Sequence, residues 1–349
     1  MNNHMRNRSQ STYTNRYDDY ELMYDPDVAA AERRSKDAKF ARPKPKKKAD
    51  KQIIAELSNE ADTRDRVFQT TYQPARFEEI WLRDSLNPFY EMDLITDVLA
   101  IVKGGKEANV YRCVGGPAAP ALVAAKVYRP RQFRNLSNDA MYREGREVLG
   151  GDGKVVKKNE HRTMRAIGKK TGFGVQVAHT SWLMYEFNTL KSLYAAGAAV
   201  PEPISVAENA ILMAYVGSRH IAAPTLHEVR LEYAEARRLF DQVIHNIETM
   251  LAAGWIHGDL SAYNILYWEG EITLIDFPQV TNAVGNSNAR FILTRDVQRV
   301  CDYFTLQGLT INARGLADHL WYRFEKRSEK ELQADLSRTL AKYAPEEEE

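Results

Sequence analysis

Residues 256–266 read IHGDLSAYNIL, and this stretch decides the fold prediction for the whole chain. Within it, Asp259 and Asn264 stand five positions apart, between an amphipathic helical pattern upstream and a predicted β-hairpin downstream. Transfer of a phosphoryl group from ATP requires a carboxylate that orients or deprotonates the acceptor hydroxyl, and a nearby side chain that holds a metal ion. The spacing therefore predicts Asp259 as a catalytic residue and Asn264 as a metal ligand.

A further acidic residue, Asp276, follows the second strand of the predicted hairpin, which spans 265–275. An isolated Asp or Asn near a hairpin usually serves only as a turn residue, but the order of Asp259, Asn264 and Asp276 favours a functional role. Magnesium takes oxygen ligands and keeps water and phosphate in its shell. We therefore predict a metal site at Asn264 and Asp276, with ATP and Mg²⁺ as cofactors and Mn²⁺ as a possible substitute.

Upstream, a short apolar strand ends in a lysine and is followed by a helix that carries a glutamate. Residues 123–126 read VAAK, a pattern typical of the strand lysine that holds the phosphates of ATP. Glu186 lies on a helix predicted over 182–196 and would pair with Lys126. Taken alone, Lys126 and Glu186 would each be interpreted more simply as solvated surface residues. Together with the downstream motif, both are predicted to be catalytic.

The turn between the first two predicted strands is rich in glycine. It reads GGKEANVY over 104–111 and has no GxGxxG pattern. Two glycines still allow backbone amides to approach a phosphate closely, and Lys106 adds a positive charge. We therefore predict that Gly105, Lys106 and Glu107 contribute to nucleotide binding.

The composition excludes several classes of protein. The two cysteines, Cys113 and Cys301, are far apart and have no CxxC partner, which excludes a disulfide framework or zinc cluster and is typical of a reducing compartment. The chain has no apolar run long enough to span a bilayer, and its polar N-terminus is unlike a secretory signal. We expect a cytoplasmic protein without a membrane partner.

Charge is distributed unevenly along the chain. Residues 1–51 are polar, end in a basic run and are predicted to be a disordered tail. Residues 129–180 hold twelve Lys or Arg against five Asp or Glu, which predicts a long flexible insertion with some helix near 159–167. Basic segments can contact RNA or a ribosomal subunit, although a solvated tail and a mobile loop are the simpler interpretations.

Three motifs resemble the RIO family of atypical serine/threonine protein kinases: GKEANVY over 105–111, HGDLSAYN over 257–264 and DFPQ over 276–279. The resemblance extends roughly over residues 95–310. It implies transfer of the γ-phosphoryl group of ATP to a hydroxyl of another protein or of the chain itself. Some members of that family act as ATPase switches that form an aspartyl-phosphate. In this chain the resemblance would place the aspartyl-phosphate at Asp276.

The resemblance also implies an α+β, two-lobed protein-kinase-like fold, with an antiparallel β-sheet N-lobe and a mostly helical, reduced C-lobe. The hinge residues Met213, Ala214 and Val216 would then bind adenine through backbone groups. The predicted segments are a tail (1–51), a helical N-terminal extension (52–95), an N-lobe (96–216) with the flexible insertion (129–180), a C-lobe (217–330), and a C-terminal helix with an acidic tail (331–349).

Two other functions remain open at this point. Small-molecule kinases of the aminoglycoside or choline phosphotransferase type also use HGDxxxxN and IDF patterns, so residues 257–264 alone do not exclude them. The GKEANVY loop and the short C-terminal part argue against that type. The other alternative is a ribosome- or RNA-associated module in which ATP only sets the conformation.

Overall fold

The computed structural model describes residues 70–326, apart from 106, 130–139, 145, 152, 157–159 and 170. The predicted tail (1–51), most of the helical extension and the C-terminal segment (331–349) therefore lie outside the described residues. The described chain is α+β and has two lobes, one built on an antiparallel sheet and one mostly helical, as the sequence predicts.

Five antiparallel strands form the N-lobe sheet: β1 (Ile95–Gly104), β2 (Ala108–Gly115), β3 (Leu122–Tyr128), β4 (Pro203–Ala207) and β5 (Ala210–Ala214). Their order across the sheet is β1-β2-β3-β5-β4. Short β-rich runs separated by glycine and proline produce this arrangement, because each break allows the chain to reverse. The antiparallel sheet that the resemblance implies for the N-lobe is confirmed.

Helix α1 (Arg76–Glu91) packs across this sheet and is the described part of the predicted helical extension. Its buried residues Trp81, Leu82, Leu86 and Phe89 join the apolar cluster formed by the strands. Burying one large apolar side chain contributes about 1.5–3 kcal/mol, so this face fixes α1 against the sheet.

The segment predicted as a flexible insertion (129–180) contains regular structure where it is described. Helices α2 (Ala140–Arg143) and α3 (His161–Gly168) lie within it, and α3 confirms the helix predicted near 159–167. The sequence did not predict α2. A helix of four residues gives too little periodicity from which to predict it.

Helix α4 (Gly172–Ala195) begins earlier than the sequence predicts, at Gly172 instead of residue 182. The Thr171 side chain accepts a hydrogen bond from the Gly174 N–H at 3.2 Å and caps the first turn. A Cβ on Gly174 would lie 2.0 Å from the Ala166 carbonyl oxygen. Glycine at this position therefore lets α3 and α4 pack closely, although its low helix propensity hides the helix start in the sequence.

The C-lobe consists mainly of helices, with two short strand pairs beside them. Gly254 (φ +81°) ends the first of these helices in the left-handed conformation common after a helix C-cap. The predicted hairpin before Asp276 is also confirmed. The elements are α5 (Tyr233–Ala252), β6 (Trp255–Ile256), β7 (Ile265–Trp268), β8 (Glu271–Leu274), β9 (Thr281–Asn282), α6 (Ala289–Leu306) and α7 (Ala313–Glu325).

Three apolar clusters hold the described chain together. One fills the C-lobe, one lies between α1 and the sheet, and a smaller one around Tyr128, Leu183 and Ile211 joins α4 to the sheet. The third cluster places α4 beside β3 and so positions its polar residues next to the strand lysine. In the part of the chain that is described, no helix has the length and apolar composition needed to cross a bilayer.

Candidate active site

Lys126 is the centre of a buried ion-pair network. It lies on β3, and its Nζ is 2.6 Å from Glu186 Oε1 on α4 and 2.6 Å from Asp276 Oδ1. Burial alone would lower the pKa of Lys126, but the carboxylates of Asp276 and Glu186 outweigh it and raise that pKa well above the usual value. The ammonium is therefore charged at neutral pH, and the structure brings the predicted lysine and glutamate together.

Tyr128 orients the other oxygen of Glu186. Its hydroxyl donates a hydrogen bond to Glu186 Oε2, and the centroid of its ring lies 5.4 Å from Lys126 Nζ. Burial and the Glu186 charge raise the pKa of Tyr128 well above its usual value, so the hydroxyl stays protonated and can donate. Glu186 thus has a donor on each oxygen and a fixed orientation toward Lys126.

Asp276 follows β8 with a φ of +73°, in the left-handed region that non-glycine residues rarely adopt. The next two residues restrain it, because buried Phe277 packs on the His257 ring with centroids 4.6 Å apart and the ring of Pro278 fixes its own φ. Burial would raise the pKa of Asp276, but the Lys126 ammonium overcomes this and lowers it. The carboxylate is therefore ionised, and 39% of its side chain is exposed.

Helix α6 holds the loop that precedes Asp259. Gly258 has a φ of +83°, and a Cβ there would lie 2.2 Å from the Gln279 carbonyl oxygen, so glycine is required. The Gly258 N–H donates to Asp296 Oδ2 at 2.8 Å, and its carbonyl accepts from Arg295. Since Arg295 and Asp296 are both buried and paired at 3.1 Å, they fix this peptide firmly.

The Asp259 carboxylate has a hydrogen-bond donor on each oxygen. Arg299 Nη1, on α6, lies 2.9 Å from Oδ1, and Asn264 Nδ2 lies 3.1 Å from Oδ2. Asn264 Nδ2 also donates to the main-chain oxygen of Asp259 at 2.8 Å. Because the amide nitrogen of Asn264 faces Asp259, its carbonyl oxygen points away from that residue. Burial raises the pKa of Asp259, an effect that Arg299 partly offsets.

The glycine-rich turn predicted to bind phosphates connects β1 and β2. The Gly105 N–H donates to the Ala108 carbonyl at 3.0 Å, and a Cβ on Gly105 would lie 2.8 Å from the same oxygen. The Glu107 carbonyl accepts from the Arg129 N–H at 2.8 Å, which ties the turn to the end of β3. Lys106 lies outside the described residues.

The predicted hinge begins at the end of β5. Met213 and Ala214 are its last two residues, and Val216 follows shortly after. The Ala214 N–H donates to the Glu202 carbonyl at 2.8 Å, and the Val216 carbonyl accepts from the Ala223 N–H at 3.2 Å. These two bonds anchor the hinge on either side of Tyr215.

Arg146, in the insertion, contacts the segment that follows Asp276 and was missed by sequence reasoning. Its Nη2 donates to the carbonyls of Pro278 at 2.9 Å and Val280 at 2.6 Å. Its guanidinium also lies 4.5 Å from the ring centroid of Tyr185, the residue before Glu186. One side chain of the insertion thus links the residues that follow Asp276 to α4.

The charged residues of α6 were also missed, because they lie far along the chain from the motifs that they support. Arg295 additionally donates to the Tyr142 hydroxyl at 2.5 Å, so the insertion reaches α6 as well. One sequence signal existed: the adjacent charges of Arg295 and Asp296 interrupt a helix face that is otherwise apolar. For Arg299 the sequence offers no such signal.

Comparison with known proteins identifies relatives of the chain. A family model described as the RIO domain matches residues 110–315. The chain is 34% identical over 207 residues to the RIO-type serine/threonine-protein kinase Rio1 of Haloferax volcanii, covering 59% of this chain and 63% of that protein. It is 29% identical over 244 residues to the serine/threonine-protein kinase RIO1 of Chaetomium thermophilum, covering 66% of this chain and 43% of that protein.

The chain spans less than two thirds of the length of each of these relatives. Among solved structures, it is similar to the Rio2 kinase-ADP/Mg²⁺-phosphoaspartate complex from Chaetomium thermophilum, with a TM-score of 0.47 and 18% identity over 86% of this chain and 88% of that one.

Proposed function

The chain belongs to the RIO family, because the model of the RIO domain matches more than half of its residues, and we propose that it is an ATP- and Mg²⁺-dependent atypical serine/threonine protein kinase. The observation that carries the proposal is the Lys126 network, in which one ammonium joins Glu186 on α4 to Asp276 beyond β8. A kinase requires this arrangement, because the lysine that holds the α- and β-phosphates must be positioned by a helix glutamate.

Asn264 and Asp276 fit a magnesium site. The Asn264 carbonyl oxygen points away from Asp259, and the Asp276 carboxylate is ionised and partly exposed. Both supply the hard oxygen ligands that Mg²⁺ prefers, and phosphate and water complete its shell. Bound there, Mg²⁺ would neutralise charge on the phosphates of ATP.

The remaining nucleotide contacts follow from the hinge and the glycine-rich turn. Since the Ala214 N–H and the Val216 carbonyl are already bonded, adenine would use the Ala214 carbonyl and the Val216 N–H. Met213 would pack beside the base. Gly105 and Glu107 of the glycine-rich turn, with the positive charge of Lys106, would contribute to phosphate binding.

Asp259 would orient the acceptor hydroxyl. A carboxylate offers about four acceptor positions, and Asn264 and Arg299 each use one of those on Asp259. Room remains for the hydroxyl of a serine or threonine, on another protein or on the chain itself. Family membership disfavours the small-molecule alternative, whereas the RNA or ribosomal contact expected from the basic segments stays a prediction.

The first test is the variant Asp259→Asn, assayed for transfer of the γ-phosphoryl group of ATP to protein. Positioned acid–base groups contribute about 10²–10⁴-fold, and we expect a loss in that range. Binding of ATP, measured by calorimetry with Mg²⁺ present, should change by less than about threefold, since Asp259 acts on the acceptor.

The matched control is Asp241→Asn, which removes an exposed carboxylate paired with Arg237 on the surface of α5. This variant should transfer at the rate of the wild-type protein. The proposal is wrong if Asp259→Asn keeps full transfer activity, or if the wild-type protein turns over small alcohols or amines and phosphorylates no protein.

A further inference from the structure

Arg299 stands out because it contacts the Asp259 carboxylate from a part of the chain that no active-site motif includes. Its Nη1 lies 2.9 Å from Asp259 Oδ1, and its side chain is 22% exposed, whereas that of Asp259 is 41% exposed. Ion pairs at protein surfaces are usually worth little. This pair is different, because it is partly buried and one partner is the carboxylate assigned to the acceptor.

The second donor to Asp259 explains why Arg299 matters. A single hydrogen bond, from Asn264 to Oδ2, leaves the carboxylate able to turn about that contact. A donor on the other oxygen removes this freedom and fixes the plane of the group. Small displacements of a reacting group can cost about 100-fold in rate, so the orientation of this plane is worth fixing.

The helix that carries Arg299 is itself anchored to the loop before Asp259. Its buried residues Asp296 and Arg295 bind the N–H and the carbonyl of Gly258. The same rigid element therefore sets the backbone before Asp259 and the orientation of its side chain. Motion of the carboxylate relative to the backbone is restricted by contacts from one helix.

We infer that Arg299 is a positioning residue for the acceptor step, one that fixes the plane of the Asp259 carboxylate against α6; this inference rests on the proposed function. Arg299 does not contact ATP in this role, so its substitution should lower kcat and leave nucleotide binding unchanged. A residue that only tied α6 to the loop would behave differently, because its loss would weaken folding and ATP binding together.

The test compares Arg299→Gln and Arg299→Lys with Arg290→Gln as the matched control. Arg290 lies on the same helix and pairs with Asp318 at the surface, with 59% of its side chain exposed. Transfer is measured as autophosphorylation and as phosphorylation of dephosphorylated casein, each with radiolabelled ATP. The KM and Kd for ATP and the melting temperature are measured alongside.

We expect Arg299→Gln to lower kcat by about 10–100-fold, with the KM and Kd for ATP within about twofold of the wild-type values. Arg299→Lys should recover most of the loss, because it restores a cation near Oδ1, and Arg290→Gln should match the wild-type protein. In an Asp259→Asn background, Arg299→Gln should lower the residual transfer no further.

The inference is overturned if Arg299→Gln keeps the wild-type kcat, if its ATP affinity falls in proportion to kcat, or if its effect persists unchanged in the Asp259→Asn background. Failure of the proposed function looks different. In that case the wild-type protein itself phosphorylates neither its own hydroxyls nor casein, and both ideas fall together.

Discussion

At the scale of single residues, two left-handed positions shape the site in opposite ways. Gly258 avoids strain because it lacks a side chain, and the Gln279 carbonyl occupies the space where a Cβ would lie. Asp276 is held in the same region at a cost of about 1–3 kcal/mol, and its carboxylate is the proposed metal ligand. The left-handed backbone therefore costs little at Gly258, whereas at Asp276 it is restrained by the packing of Phe277 on His257.

The first residue-scale prediction concerns Gly258→Ala, with Gly197→Ala as its control. Both glycines are left-handed, with φ of +83° and +82°, and alanine costs about 1–2 kcal/mol in that conformation. Only Gly258 has an obstructed Cβ position, since nothing lies within 4 Å of the one at Gly197. Gly258→Ala should therefore lose about 1–3 kcal/mol more, measured by urea denaturation. Equal losses in the two variants would show that the Gln279 contact is unimportant.

Candidate site residues could be identified from the sequence where a motif carries them, even when their partners lie far apart along the chain, as for Lys126 and Glu186. Asp259, Asn264 and Asp276 are identified by their spacing, because one loop and one hairpin carry all three. No motif marks Tyr128 or Arg299, which contact Glu186 and Asp259. The side chains that orient the predicted carboxylates become visible only once the chain is folded.

At the scale of elements, the insertion is the part that sequence reasoning described least well. The sequence predicted a long flexible insertion over 129–180 with some helix near 159–167, yet Tyr142 is buried in the C-lobe core and Arg146 binds the carbonyls after Asp276. Its attachment relies on a few anchoring side chains and on hydrogen bonds to main-chain oxygens. Such anchors leave no periodic pattern in the sequence, unlike the apolar stripe that correctly predicted α5.

The element-scale prediction is that Arg146→Gln loosens the segment after Asp276. Hydrogen bonds from a charged donor contribute about 1.5–3 kcal/mol, so we expect a fall of that size in the free energy of unfolding and weaker binding of Mg-ATP. Arg162→Gln, an exposed position on α3 in the same insertion, should change neither quantity. Chemical denaturation and calorimetry test both; unchanged Mg-ATP affinity in Arg146→Gln would show that the insertion does not support the metal site.

At the scale of the whole molecule, the division into a sheet lobe and a helical lobe was implied by the resemblance of the sequence motifs to the RIO family. The way the lobes meet was only partly predictable. The sequence predicted Lys126 and Asp276 near the same phosphates, but it predicted neither their direct contact nor the contacts of Tyr142 with α6 and of Arg146 with the segment after Asp276. Contact between the lobes combines apolar packing, in which Leu190 and Leu193 of α4 join the C-lobe core, with ionic and main-chain interactions that a bound nucleotide would reinforce.

Mg-ATP should stabilise the protein as a whole, since the residues proposed to bind it come from both lobes. A ligand present at 100 times its Kd adds about 2.7 kcal/mol, which corresponds to roughly 5–10 °C in melting temperature for a domain of this size. ATP with EDTA should give a smaller increase. Asp276→Asn should abolish the difference between the two conditions, because it removes the charged metal ligand, whereas the exposed control Asp318→Asn should retain it. If Asp276→Asn kept the full magnesium-dependent increase, the metal would have to bind elsewhere in the cleft.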